Sequence, residues 1–250
     1  MDQSRLGQTD LSLSRLGLGT VKFGRNQEIK YPHGFDIPDM DHLHNLLSVA
    51  RDLKINTLDT APSYGLSEER LGILLDGKRK EWIIVGKAGE EFENGQSTYI
   101  FTADHFEMSL QRSLKRLKTD YIDILLIHSD GHDTDILNND GLIEKMHDFK
   151  KRGLVRAIGA STKTIRGGIQ SLDLMDCAMV TYNPSYTDEK PVIDHAQKNG
   201  KGILIKKALG SGHMTDNKPL GFVLDHPGVT SAIVGTINPD HLIKNVQSLP

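Results

Sequence analysis

Eight short runs of β-branched and aliphatic residues, separated by stretches of helical periodicity, constrain this chain more than any other feature. They cover residues 16–19, 56–59, 82–87, 122–128, 156–161, 178–182, 202–206 and 231–235. Several are apolar nearly throughout, Ile124-Leu125-Leu126-Ile127 among them, where a half-exposed strand would alternate. Such a strand is covered on both faces, as in a parallel sheet. The stretches between are amphipathic. Over 41–53, Leu43, Leu46, Leu47 and Ala50 share one helical face, and over 104–117 Phe106, Leu110, Leu114 and Leu117 do the same. Helices also suit 67–75, 142–151, 164–172, 191–198, 219–225 and 239–248. Pro191, Pro219 and Pro239 stand at first-turn positions, where a missing N–H costs nothing. Ser67 and Asn238 read as N-caps, and Asn199-Gly200 as a helix stop.

Eight strands alternating with eight helices predict an α/β fold, a (β/α)8 TIM barrel, for which about 250 residues is typical. No composition break interrupts the pattern, so a single domain over residues 1–250 is expected. The competing architecture is a doubly wound open sheet. Its phosphate-binding turn needs three glycines after the first strand, and Gly17-Leu18-Gly19-Thr20 lacks the third. Ahead of the first strand, Leu6 to Leu11 followed by Leu13 resembles a short N-terminal hairpin, suited to capping the N-terminal end of a barrel.

Composition narrows the partners. The formal net charge is -3, which does not suggest nucleic acid or an anionic membrane surface. The lone cysteine, Cys177, excludes an intramolecular disulfide and a cysteine-based zinc knuckle, and its apolar neighbours suit a buried thiol. No segment reaches the ~20 apolar residues of a membrane span, and residues 1–5 lack the apolar stretch of a signal peptide. A soluble, cytoplasmic protein in a reducing compartment is the expectation.

In a barrel, residues at the C-terminal ends of strands face the active site. Asp59, Lys87, His128 and Ser161 fall there, and Tyr64 follows Asp59 by five residues. Each has an ordinary structural role open to it: a cap for Asp59, packing for Tyr64, a solvated strand end for Lys87, a satisfied core position for His128. Their joint occurrence at successive strand ends points to proton transfer to a carbonyl. A tyrosine titrates near ~10, so Tyr64 needs its phenolate stabilised, a task suited to a Lys87 ammonium fixed by Asp59. His128 is suited to donating to a carbonyl oxygen and orienting it. No side chain delivers hydride, so a nicotinamide cofactor is implied.

The segments Leu16-Gly17-Leu18-Gly19-Thr20, Asp59-Thr60-Ala61-Pro62-Ser63-Tyr64-Gly65, Gly86-Lys87 and Leu125-Leu126-Ile127-His128-Ser129 resemble the aldo-keto reductase family, in order and across nearly the whole chain. The resemblance implies a barrel that reduces aldehydes or ketones, small molecules, with NADP as the favoured cofactor. By it Tyr64 is the general acid, Lys87 and Asp59 tune it, and His128 orients the carbonyl. Cofactor contacts carry over to Thr20 near the ribose, to Ser161 and Thr162 on the carboxamide (Thr162 replacing Asn or His), and to Asn183. Lys206 stands where an aromatic residue stacks on the nicotinamide, which a lysine cannot do. Near the adenosine 2′-phosphate, Thr236 and Asn245 match, whereas Gly235 and His241 replace two cations. Losing two charge-assisted contacts weakens that grip and leaves NAD as the alternative. The long C-terminal loop that walls the family's substrate pocket is missing before Pro250, so the loops over 22–38, 88–101 and 129–140 are expected to select substrate. They carry Phe23, Tyr31, Phe35, Phe92 and Tyr99.

Two other readings stand beside this one. His128-Ser129-Asp130-Gly131-His132-Asp133 offers potential metal ligands of the kind barrel hydrolases use, although no paired histidines occur at another strand end. The bland reading of 130–133 is a polar loop, and no metal site is expected. The substitutions at Thr162, Lys206, Gly235 and His241 also suit an accessory barrel that binds cofactor with little turnover. The sequence leaves the oligomeric state and the particular carbonyl open.

Overall fold

The computed structural model describes residues 1–29, 31–214 and 218–249; Lys30, in the loop expected over 22–38, and the terminal Pro250 lie outside the described residues. The chain opens with an antiparallel hairpin, β1 (Gln3–Arg5) and β2 (Ser12–Ser14). Three parallel strands follow, β3 (Leu16–Gly19), β4 (Thr57–Asp59) and β5 (Ile83–Ala88). After a second antiparallel hairpin, β6 (Glu90–Glu93) and β7 (Gln96–Tyr99), come β8 (Ile122–His128), β9 (Val155–Ser161), β10 (Cys177–Thr181), β11 (Gly202–Lys206) and β12 (Ser231–Val234). The strands β3, β4, β5 and β8 to β12 form one closed parallel barrel, β12 pairing back onto β3. All eight expected runs are its staves, which excludes the open sheet.

Helices alternate with the staves: α1 (Met40–Asp52), α2 (Ser67–Leu74), α3 (Ala103–Leu117), α4 (Asp133–Leu137), α5 (Asp140–Lys151), α6 (Ile165–Leu174), α7 (Lys190–Asn199), α8 (Lys218–Leu224) and α9 (Pro239–Gln247). Their apolar faces are those the periodicity marks, with Leu43, Leu46, Leu47 and Ala50 of α1 and Phe106, Leu110, Leu114 and Leu117 of α3 all buried. Asn238 caps α9 by accepting from the Asp240 amide at 2.8 Å, and Gly200 ends α7 at φ 63°. Ser67 does not cap α2. Its hydroxyl lies 2.7 Å from Thr20 Oγ1 and 3.0 Å from Thr60 Oγ1, so it ties two strand ends together beneath the helix.

The pleat divides the strand side chains in two. Ile84, Ile122, Leu125, Ile127 and Ile158 pack with the helices, whereas Ile83, Val85, Ile124, Leu126 and Ala157 fill the ring. Leu6, Leu11 and Leu13 of the N-terminal hairpin belong to that inner group, each at most 1% exposed. The hairpin therefore plugs the N-terminal end of the barrel, as its leucines suggest. Arg156, near the start of β9, donates to Asp10 at 3.0 Å and holds the plug's tip. Cys177 lies at the same depth, wholly buried, and burial pushes its thiol up.

The loops differ from expectation at two places. Residues 88–101 form the β6–β7 hairpin, whose Asn94 and Gly95 have φ of 52° and 77°, the all-positive pattern of a tight two-residue turn. Residues 129–140 contain α4. Among the described residues no helix is long and apolar enough to cross a membrane.

Candidate active site

The register of β4 on β5 sets Asp59 beside Val85. The pleat then turns Lys87, two residues on, to the same inward face at the barrel's C-terminal rim. Its ammonium donates to Asp59 Oδ1, and at 3.1 Å to the Thr60 carbonyl. Both side chains are nearly inaccessible, 2% and 7%. Residues Pro62–Tyr64 then form one 3-10 turn, ended by Gly65 at φ 61° and ψ -123°, a region open to glycine and little else. A Cβ on Gly65 would stand 2.2 Å from the Gly24 carbonyl oxygen, so the two loops meet backbone to backbone. This turn folds the Tyr64 ring over Lys87, whose Nζ lies 4.9 Å from the ring centroid.

Burial raises the Tyr64 phenol well above the usual value, and the charges of Asp59 and Glu90 push the same way. The Lys87 charge is answered by Asp59 in direct contact. Tyr64 accordingly holds its proton at neutral pH, the form that donates.

His128 closes β8 beside Ser161 of β9. Its ring stands edge-on to Tyr64, with centroids 6.3 Å apart and planes at 82°. Sequence reasoning missed its partner. Glu90, one residue past the turn that ends β5, brings Oε2 to 2.9 Å from His128 Nδ1 in a bent contact. Ser63 donates to the same oxygen at 3.0 Å and Ser97 to Oε1 at 2.7 Å, while Arg25 Nη1 lies 3.6 Å from Oε1. His128 first, then Ser97 and Ser63, outweigh burial and hold the Glu90 carboxyl down at about 2. Burial lowers His128, and although Glu90 opposes that shift, Lys87 and Lys206 add to it. Arg25 also donates to the Ser63, Gln27 and Glu28 carbonyls and lies 3.4 Å over the Phe92 ring. It thereby joins the β3 loop, the Tyr64 turn and the β6–β7 hairpin. The Asn94-Gly95 dipeptide was the one sequence signal that could have placed Glu90.

The expected cofactor positions separate into two groups. Ser161, Asn183, Lys206 and Gly235 line a cavity of about 980 Å³ together with Asp59, Tyr64, Lys87 and His128. Lys206 extends to Ser161 Oγ at 2.9 Å and the Thr162 carbonyl at 2.6 Å, and burial lowers its pKa. Nearby Glu189, 1% exposed, accepts from the Thr181 amide at 2.8 Å, and its other oxygen has no hydrogen-bond partner. Asn183 donates to the Lys207 carbonyl and accepts from the Ser185 amide, both at 3.0 Å. Gly235 has a local cause: a Cβ there would fall 2.0 Å from Tyr31 Oη. Tyr31 lies beneath Lys22, whose Nζ is 3.8 Å from its centroid, and burial with the Asp59 charge raises its phenol to about 12.

The other group does not line this cavity. Thr20 is wholly buried and donates to the Asp59 carbonyl at 2.9 Å. Thr162 is buried, its hydroxyl without a partner. Thr236 Oγ1 accepts from the Asn238 amide at 3.1 Å, Asn245 is buried on α9, and His241 is exposed on the same helix. The cavity still has the means to hold a nicotinamide group: it lies within the usual ~300–1,000 Å³ range of ligand pockets, and polar side chains from six strand ends line it beside the unsatisfied Glu189 oxygen. Of the candidate metal ligands, Asp133 is taken up by the chain itself. It accepts from the Lys163 and Thr164 amides at 2.9 and 2.8 Å and from the Thr164 hydroxyl at 2.6 Å, securing the loop after β9.

Comparison with known proteins bears on the family and the fold. Residues 15–221 match the Aldo/keto reductase family. A crystal structure of PA4992 from Pseudomonas aeruginosa, described as a candidate aldo-keto reductase, superposes with a TM-score of 0.90 at 52% identity, covering 98% of this chain and 93% of that one. The NADH-specific methylglyoxal reductase of Escherichia coli is 30% identical over all of this chain and 79% of its own length. The uncharacterized oxidoreductase YqkF of Bacillus subtilis is 25% identical, over 99% of this chain and 91% of its own.

Proposed function

The chain belongs to the aldo-keto reductase family, whose members are oxidoreductases using nicotinamide cofactors, and from that premise we propose that it reduces an aldehyde or ketone to the alcohol with Tyr64 as general acid. One observation carries the reading: a buried phenol, a carboxylate-held ammonium and an imidazole converge on one cavity at the C-terminal mouth of the barrel.

When bound, the nicotinamide supplies hydride to the carbonyl carbon. Ser161, Asn183, Lys206 and Gly235 are the cavity residues we assign to holding it. Tyr64 then gives its proton to the carbonyl oxygen. The Lys87 ammonium, kept in place by Asp59 and the Thr60 carbonyl, stabilises the phenolate as it forms. The raised acidity range of the resting phenol keeps the donor loaded between turnovers. Gly235 places no cation beside the cavity, and the exposed His241 stands away from it. The family resemblance leads us to assign NADP as cofactor, and the absence of these two cations leads us to propose that NAD is also accepted.

Oxidation of NADPH and of NADH, followed by absorbance across a panel of aldehydes, ketones and sugars, tests the assignment. Tyr64→Phe is expected to lower kcat/KM by at least ~10²-fold, the range of general acid catalysis, with cofactor affinity by fluorescence titration unchanged. Full activity in that variant would remove Tyr64 from the role. Cofactor binding without turnover across the whole panel would instead favour the accessory barrel.

A further inference from the structure

Lys206, the last residue of β11, brings an ammonium to the cavity wall with no counter-charge in contact. Its Nζ donates to Ser161 Oγ at 2.9 Å and to the Thr162 carbonyl at 2.6 Å, both neutral acceptors. Among the described residues no carboxylate meets it in an ion pair. The other cations of this wall are answered or screened: Lys87 touches Asp59, Arg25 stands by Glu90, and Lys163 and Lys207 are exposed. A nicotinamide ring is a cation when oxidised and neutral when reduced. We propose that the Lys206 ammonium makes the cavity select the reduced cofactor over the oxidised one, so that the protein loads with reductant and sheds spent cofactor, an inference that rests on the cofactor assignment made above.

Two like charges repel weakly in water and far more strongly where water is excluded. The groups that face Lys206 are Glu189 just ahead of α7, Asp133 at the start of α4, Lys163 after β9, the adjoining Lys207 and His128 at the end of β8. Burial draws Lys206 down to about 7; Lys207 and Lys163 add to that shift, and Glu189 and Asp133 oppose it. The ammonium is therefore present below about 7 and lost above it. A cationic ring in the same cavity pushes that titration lower still. Affinity for the oxidised form thus rises with pH through this range, whereas the uncharged reduced ring gains little. The phosphates are common to both forms and cancel in the ratio of the two affinities.

Equilibrium fluorescence titration of the wild-type protein with NADPH and NADP+, and in parallel with NADH and NAD+, at pH 6 and pH 9 checks this without turnover. The dissociation constant of the oxidised form divided by that of the reduced form should be about tenfold or more larger at pH 6, the scale on which a nearby like charge disfavours a cation. In Lys206→Met the ratio should drop to its pH 9 value and stay there. In Lys206→Arg, which keeps the charge, it should stay high at both pH values. A lysine that only held the loop together would weaken both forms alike when removed and leave their ratio unmoved. A wild-type ratio that does not change with pH overturns the proposal while the cofactor assignment stands. So does a slope that persists undiminished in Lys206→Met, since it would then belong to His128. Binding of neither form by the wild-type protein would remove the cofactor assignment and the proposal together.

Discussion

Glu90 holds a charge in a place that water scarcely reaches, and that arrangement makes the fold sensitive to acid. Its folded value of about 2 lies below the 4.5 of a free glutamate, because His128, Ser97 and Ser63 favour the ionised form. A depressed carboxyl adds stability that is complete above 4.5 and disappears as pH falls through about 2. At 1.36 kcal/mol per unit, the contribution is roughly 3 kcal/mol. His128, held below 6.5 chiefly by burial, begins an earlier loss in the same direction, since the unfolded chain takes up that proton first. Buried Glu68 and Glu189 act with the opposite sign, their burial favouring the protonated form. Urea unfolding at a series of pH values should show wild type more stable than Glu90→Gln at pH 6, with the gap narrowing from about pH 4.5 and closed by about pH 2; a gap independent of pH would exclude this account. Gly65 carries a second prediction. Alanine there must accept φ 61° and a Cβ 2.2 Å from the Gly24 oxygen, so Gly65→Ala should cost roughly 1–3 kcal/mol and shift Tyr64, lowering kcat more than cofactor affinity. Asp59, Tyr64, Lys87 and His128 were readable from sequence because three end strand runs and the fourth follows the first of them. Glu90 was not, since its partners lie 38, 27 and 7 positions away (His128, Ser63 and Ser97) and none shares its local pattern.

At the scale of elements, the β6–β7 hairpin shows why some structure escapes a pattern-based reading. Neither Glu90-Glu91-Phe92-Glu93 nor Gln96-Ser97-Thr98-Tyr99 has an apolar face, so periodicity offers no strand there. The turn chemistry does: Asn94 and Gly95 both take positive φ, which suits these two residues more than most. What anchors the ribbon is polar and aromatic, Arg25 lying over Phe92 and Ser97 bonding Glu90. The hairpin positions the site and adds little to the core. Replacing Asn94-Gly95 by Ala-Ala should therefore lower kcat/KM severalfold while moving Tm by only about 2–4 °C, the change expected of ~1 kcal/mol in a chain of this size. A large fall in Tm with intact activity would reverse that division of labour. The same reasoning covers α4, which five residues make too short for periodicity to register; Asp133 at its start is fixed instead by the amides of the loop after β9.

The barrel as a whole separates chemistry from closure. Its eight staves were legible because strands covered on both faces are apolar nearly throughout, and a ring of parallel strands requires that. The seat of the N-terminal hairpin was less so, because it depends on what the ring lacks. Gly202, at the start of β11, has no side chain, and a Cβ there would fall 2.3 Å from Leu6 Cδ1. Leu6 thus occupies space the ring leaves open, and Leu11 and Leu13 join it against Ile83, Ile124 and Cys177. The plug seals the end of the barrel opposite Tyr64 and Lys87, so it should govern stability without touching the reaction. Leu11→Ala, at a site 1% exposed, is expected to cost about 2–5 kcal/mol, the range for removing a leucine from a packed core. At 25 °C, where the folded form still predominates, its kcat/KM should match wild type, with the deficit seen in the denaturation midpoint. If kcat/KM fell while that midpoint held, the two ends of the barrel would be coupled through the inner side chains, and the plug would belong to the active site's machinery.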